Sequence, residues 1–170
     1  REQASVAYLP LGGNSWHGPH LPLGGDTIVA EMVAERCVRR TGGVLLPATC
    51  WPFGPTPHAG SLGLRATTMR ALVDDALGAL AADGWRAAVL VSGHYSPGAE
   101  ILLIGAARAA IASHGLLTLA ISPLALVDHE MLDHAGLWES SVLLALRPEL
   151  VDLAALGEGP LNPAESGVVG

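Results

Sequence analysis

Residues 5–11 read SVAYLPL and run directly into Gly12-Gly13-Asn14-Ser15-Trp16-His17-Gly18-Pro19-His20-Leu21-Pro22-Leu23-Gly24-Gly25-Asp26-Thr27. An apolar run of this length, closed by two glycines, has the signature of a buried strand. The loop behind it concentrates two histidines and an aspartate within ten residues. Residues 27–40 follow with Ile28, Val29, Met32, Val33 and Cys37 on one stripe at helical spacing, so they are expected to form a helix, with Asp26 or Thr27 as its N-cap.

The same alternation continues outward from this stretch. Residues 43–47 (GVLLP) read as a second strand and residues 48–63 as a long Gly- and Pro-rich loop, a length that is usually functional inside a compact domain. Residues 66–83 have helical spacing and stop at Gly84, residues 87–91 form a buried strand, and residues 99–113 form an alanine-rich helix ending before Gly115. Residues 116–121 are the next strand, and residues 137–146 a helix closed by Pro148. Wholly apolar strands alternating with helices predict an α/β fold, a mostly parallel sheet covered by helices on both faces. Ligands of such sheets bind beyond the carboxyl ends of the strands, which points to the loops after Leu11 and Val91.

The chain has 170 residues, enough for a single core that buries roughly 70% of the unfolded surface, so one domain spanning residues 1–170 is expected. Half of the residues are hydrophobic and 15% are charged, which excludes intrinsic disorder. All nine basic residues are Arg, and without Lys there is no Schiff-base chemistry and no Walker-type phosphate lysine. A net charge of -7 argues against a nucleic-acid partner and favours a small-molecule or peptide ligand. Residues 1–10 lack the pattern of a secretory leader. The uncharged residues 109–127 are broken by His114, Gly115 and Pro123, so no membrane span is expected. Cys37 and Cys50 are too far apart for a CxxC site and read as buried thiols in a reducing, cytoplasmic compartment.

Chemistry concentrates in two loops. The first carries His17, His20 and Asp26; the second is Ser92-Gly93-His94-Tyr95-Ser96. Imidazole nitrogen and carboxylate oxygen together suit zinc, manganese or iron, and a carboxylate can bridge two ions. Each histidine taken singly is as well explained as a hydrogen-bonded structural residue. Trp16, Trp51, Phe53, Tyr95 and Trp138 cluster in the candidate site loops although aromatics make up only 4% of the chain, which predicts a flat apolar pocket or, for Trp51 and Phe53, core packing.

The sequence resembles the creatininase (creatinine amidohydrolase) family, which includes mycofactocin-precursor peptidases. The resemblance rests on residues 12–27, which follow the family's G-S-T-E-Q-H-G-P-H-L-P-L-x-T-D-T, on Ser92-Gly93-His94-Tyr95, and on His134-Ala135-Gly136-Leu137-Trp138-Glu139-Ser140-Ser141. It continues through residues 143–152, similar to L-x-L-x-P-x-L-V-D, and residues 164–170, similar to E-T-G-V-x-G. It implies a three-layer α/β/α fold, one or two divalent metal ions, hydrolysis of C–N bonds in cyclic or linear amides, a homo-oligomer, often a hexamer, and a final C-terminal helix, before which these 170 residues are expected to stop.

By the same resemblance the metal ligands are His17, Asp26 and His94, and the proton donor to the leaving nitrogen is His134 with Asp133 beside it. Two carboxylates of the family pattern are replaced here, by Ser15 and by Ser96. Glu139, at the start of a helix, is then the candidate fourth ligand or a further catalytic group. Ser15, Trp16, His58, Tyr95, Ser96 and Trp138 are the candidate substrate contacts. His20 reads as a structural hydrogen-bonder, and Glu100 and Glu139 are equally well explained as helix N-terminal acids.

At most four strong ligands suit one ion per chain, zinc, manganese or iron, or none. The readings that follow are a metal-dependent amidohydrolase with an altered site, a silent homologue serving as a binding or structural subunit, and a tailoring enzyme that uses the pocket for condensation or cyclisation. Ser15 and His17 lie on one tight loop and do not form a G-x-S-x-G nucleophile elbow.

Overall fold

The computed structural model describes residues 6–127 and 133–159. Ser5 and the motif at residues 164–170 lie outside the described residues. Strand β1 (Val6–Leu11) leads into helix α1 (Gly25–Thr41), short strand β2 (Val44–Leu45), helix α2 (Ala66–Ala82), strand β3 (Ala87–Ser92), helix α3 (Pro97–His114) and strand β4 (Leu117–Ile121). A short helix α4 (Pro123–Val127) and helix α5 (Leu137–Leu146) complete the order, followed by two single 3-10 turns. The strands pair in the order β2-β1-β3-β4, and every pairing is parallel.

Side chains alternate across each strand, so β1 serves two cores. Ala7, Leu9 and Leu11 join Ala88 and Leu90 of β3 under Met69, Val73 and Leu77 of α2 and Leu103, Ala106 and Ala110 of α3. Tyr8 and Val91 face the other way, onto Ala34 and the half-buried Val33 and Cys37 of α1. A third cluster, Leu21, Val29 and Leu143, fastens α5 to α1. The result is a three-layer α/β/α arrangement. At edge strand β4 the alternation departs from the wholly apolar reading: Leu116, Thr118 and Ala120 turn inward, whereas Leu117 and Leu119 are 66% and 56% exposed.

Several boundaries differ from the sequence expectation for identifiable reasons. β2 is cut to two residues because Pro47 has no N–H to donate, although Leu46 N still donates to Tyr8 O. α1 starts at Gly25 after Gly24, and neither Asp26 nor Thr27 caps it. The Asp26 carboxylate is held by two histidines, and the Thr27 hydroxyl donates to Gly13 O at 3.3 Å. α3 starts two residues early because Ser96 caps it, accepting Ala99 N at 3.2 Å, with Pro97 in its first turn. Cys37 and Cys50 are free and half-buried, not buried as expected. Among the described residues no helix is long and apolar enough to cross a membrane.

Two glycines let the first turn of α1 press into the sheet edge. A Cβ on Gly12, just past β1, would lie 2.2 Å from Thr27 Cα, and one on Gly93, just past β3, would lie 2.0 Å from the Asp26 carbonyl oxygen. Gly93→Ala is therefore expected to cost about 3 kcal/mol, because backbone atoms cannot yield as a side-chain tip does. Gly78→Ala, in the middle of α2 where a Cβ meets only His114 Nε2 at 3.8 Å, should stabilise by about 0.5–1 kcal/mol. Urea denaturation of the two variants checks both signs.

Candidate active site

The tight approach of α1 delivers Asp26 between the two loops at the carboxyl ends of β1 and β3. Asp26 is 3% exposed, and its two oxygens are shared out: His17 Nε2 lies 2.9 Å from Oδ1 and His94 Nδ1 lies 2.9 Å from Oδ2. His17 Nδ1 is 2.8 Å from the carbonyl oxygen of Ser15. A carbonyl only accepts, so Nδ1 carries the proton and Nε2 is the nitrogen turned to the site. Asp26 thus bridges the two histidines, one on each oxygen, where the sequence reading had all three residues around one point.

The C-terminal part of the chain closes the site from the other side. The Asp133 carboxylate accepts the backbone N–H groups of Trp138 (2.9 Å) and Glu139 (3.3 Å), fixing the start of α5. Glu139, in that first turn, is buried; its Oε2 accepts Ala135 N at 2.6 Å and lies 3.6 Å from His17 Nε2 and 4.0 Å from His134 Nδ1. The His17 and His134 rings are 4.5 Å apart. His17, His134 and Glu139 each offer one ligand atom within 4.8 Å of the others.

The remaining sequence candidates divide. Tyr95, Ser96, Pro97, Glu100, Asp133, His134 and Glu139 line a cavity of about 240 Å³. Tyr95 also accepts Leu124 N through its hydroxyl. Ser15 is fully buried and its Oγ accepts Thr56 N at 3.0 Å. Trp16 is buried, with His58 stacked on it at 4.7 Å. Trp138 is partly exposed at the start of α5, and Trp51 is exposed. Phe53 packs against the α2/α3 core. Neither Trp16, His58 nor Trp138 lines the cavity. His20 Nε2 meets Ser140 Oγ at 2.9 Å, in keeping with a structural role.

Sequence reasoning missed two things. His134 stands inside the ligand-capable cluster and not only beside it, a consequence of how α5 docks that no local spacing encodes. Thr56, whose Oγ1 lies 2.8 Å from His134 Nε2, belongs to no recognised motif. Its only signal was its place in the long loop.

A family model described as creatininase, creatinine amidohydrolase, matches residues 1–168. The chain belongs to the creatininase family. Its kinship is therefore with metal-dependent amidohydrolases, hydrolases of C–N bonds. The chain is 26% identical over 180 residues to creatinine amidohydrolase of Pseudomonas putida, a match covering 91% of this chain and 69% of the relative. It is 27% identical over 96 residues to 3-dehydro-scyllo-inosose hydrolase of Thermotoga maritima, covering 55% of this chain and 31% of that protein. A crystal structure of creatininase superposes with a TM-score of 0.81 at 26% identity, over 91% of this chain and 70% of that one. Matching creatininase structures include a Zn-Zn form, a Mn form and a mutant complexed with creatine.

The residues present fit a divalent ion. His17 Nε2 and Glu139 Oε2, 3.6 Å apart and both buried, face each other beside Asp26 Oδ1, a nitrogen and two carboxylates of the kind that hold such an ion. Ligand atoms sharing one tetrahedral ion at about 2.1 Å sit about 3.4 Å apart, between the 2.9 Å of His17 Nε2 to Asp26 Oδ1 and the 3.6 Å of His17 Nε2 to Glu139 Oε2. Without an ion a proton takes its place. Burial works against charge on His17, but hydrogen bonding and attraction to Asp26, with help from Glu139, raise its pKa from 6.5 to about 9. Burial alone would raise the Asp26 pKa, yet the two histidines hold it below the usual carboxylate value. Burial pushes Glu139 up to about 7 against the pull of His17. His134 is lowered, by burial and then by His17.

A folded-state pKa of about 9 for His17 means that its contribution, on the order of 3 kcal/mol, is complete below about 6.5 and lost as pH rises through about 9. Glu139, raised by a similar amount, loses a contribution of the same order in the same direction, as pH rises from about 4.5 through about 7. The melting temperature of chelator-treated chain should therefore fall between about pH 6.5 and 9, and His17→Gln should flatten the fall. Added zinc should stabilise more as pH rises through that window, because a ligand imidazole must first shed its proton. A melting temperature independent of pH would contradict the charge assignment.

Proposed function

We propose that this chain is a metal-dependent amidohydrolase that cleaves a C–N bond of a small cyclic amide, a formamide or a peptide at a site holding a single ion. The observation that carries the reading is the convergence of His17, Asp26, His134 and Glu139, of which His134 and Glu139 line a cavity of about 240 Å³, with His94 on the far oxygen of Asp26. His17, Asp26 and Glu139 would hold the ion, with His94 supporting Asp26 from behind. A divalent ion, when bound there, makes a bound water more acidic and polarises an amide carbonyl.

The chain's own groups supply the rest. His134, beside Glu139 on the cavity wall, takes the proton of the attacking water and returns it to the leaving nitrogen as the C–N bond breaks. Asp133 fixes the turn that sets both His134 and Glu139. Glu100 and Asp133 add carboxylates to the cavity wall, which favours a neutral or cationic substrate over an anionic one. The volume lies below the usual range for drug-sized ligands and suits a small one.

The single ion follows from what the serines do. Ser15 and Ser96, standing where the family pattern has carboxylates, each accept a backbone N–H, from Thr56 and from Ala99. The His94 side of Asp26 is left with one carboxylate oxygen and one imidazole, too few for a second ion. Such a site is retuned away from creatinine.

Elemental analysis of chain purified without chelators should give close to one zinc, manganese or iron per chain. A panel of lactams, cyclic ureides, formamides and peptides, run in ¹⁸O-labelled water, should yield a product carrying the label. His134→Gln should lower kcat about 10²–10⁴-fold and keep the metal. Creatinine turnover of about 10 per second or more would refute the retuning. Product without label would favour cyclisation or condensation, and a chain that takes up no metal would favour a silent binding subunit.

A further inference from the structure

The cavity of about 240 Å³ is lined from two segments: Asp133, His134 and Glu139 at the start of α5, and Tyr95, Ser96, Pro97 and Glu100 in the turn after β3 and the first turn of α3. The first group is already employed. Asp133 holds two backbone N–H groups, and His134 and Glu139 stand with His17 in the ligand-capable cluster. Glu100 is half-buried and outside that cluster, and its carboxylate has no hydrogen-bond or ion-pair partner among the described residues. Helix capping does not employ it either. Ser96 is the N-cap and accepts Ala99 N, so a capping-box acid would stand at residue 99, and Glu100 comes one residue too late to reach back.

Nothing in the cavity wall balances the Glu100 charge. Among the described residues no Arg lines the cavity, and the chain has no Lys. A divalent ion held by His17, Asp26 and Glu139 would be matched by those two carboxylates, and the N-terminus of α3 sets roughly half a positive charge against a full negative one. Burial first, and then the charges of Glu139, Asp26 and Glu100, push the Tyr95 hydroxyl above the usual phenol range, so the Glu100 charge is felt at a ring that lines the same cavity. We propose that Glu100 is a specificity-determining residue: it selects amides that carry a cationic group, an ammonium or guanidinium, near the bond to be cut. Such a group would meet a carboxylate free to take a charge-assisted hydrogen bond. The proposal rests on the reading of this cavity as the seat of an amide substrate, and it narrows that substrate to a cation.

The test uses three amides of closely matched shape: β-alaninamide, which ends in an ammonium, butyramide, with a methyl in its place, and succinamate, with a carboxylate. Each is titrated into ¹⁵N-labelled chain as purified, Kd is read from the shifts of backbone amide signals, and kcat/KM is measured in parallel. β-Alaninamide should bind about tenfold more tightly than butyramide, the effect of one hydrogen bond between charged partners, and succinamate more weakly than either. Glu100→Gln, which keeps the shape and removes the charge, should bring the ratio of the first two to within about twofold of one. Glu100→Lys should reverse the order in favour of succinamate. Added salt should erode the preference in the unaltered chain.

An unaltered chain that binds the three alike, prefers succinamate or binds none of them overturns the proposal. A Glu100→Gln chain that melts earlier but keeps the preference also overturns it, and returns Glu100 to a helix N-terminal acid. If neither variant folds, a preference that salt leaves untouched overturns it equally. A chain that prefers the cation in binding but hydrolyses no amide refutes the hydrolase reading and leaves the selection standing. A chain that hydrolyses amides without that preference does the reverse.

Discussion

A carboxylate buried as deeply as Asp26 is tolerated only with partners on both oxygens, and that requirement organises the sheet edge. His17 reaches Asp26 from the loop after β1 and His94 reaches it from the loop after β3, each at 2.9 Å. Those two contacts need α1 to start almost against the strand ends, so Gly12 and Gly93 sit where any side chain would collide with its first turn. Packing and electrostatics point the same way. The apolar cores seat α1 on one face of the sheet and α2 and α3 on the other, and the polar triad fixes where along the sheet α1 begins.

The second half of the site is built from a helix start. Asp133 takes the backbone N–H groups of Trp138 and Glu139, which turns the chain so that Glu139 enters the buried interior and His134 faces both the cavity and the loop at residues 48–63. Glu139 is buried beside His17, whose charge Asp26 already meets at closer range. The same burial that raises its pKa to about 7 makes it a group that exchanges protons near neutrality.

Much of this was legible in the sequence. Strand and helix periodicity gave the alternation from β1 to α5, and the carboxyl-end rule for parallel sheets singled out the two loops that carry His17 and His94. What the sequence could not show depends on contacts between distant segments. Asp26 looked like a helix cap because the local pattern favours it, but two histidines claim its oxygens first. Phe53 and Trp51 could be pocket or core residues from the sequence alone; Phe53 packs against the core, and Trp51 faces solvent. Thr56 was invisible because its meaning lies in a hydroxyl 78 residues away from its partner His134 along the chain. The exposed leucines of β4 broke the rule of fully apolar inner strands because β4 is an edge.

We infer that Asp26 organises a site for one divalent ion. Anomalous diffraction recorded above and below the zinc absorption edge, on crystals grown with zinc, tests it most directly. The account predicts a single strong peak per chain within bonding distance of Asp26 Oδ1, His17 Nε2 and Glu139. Two peaks flanking Asp26, or zinc bound only elsewhere while His17 and Asp26 keep their direct 2.9 Å contact, would contradict it.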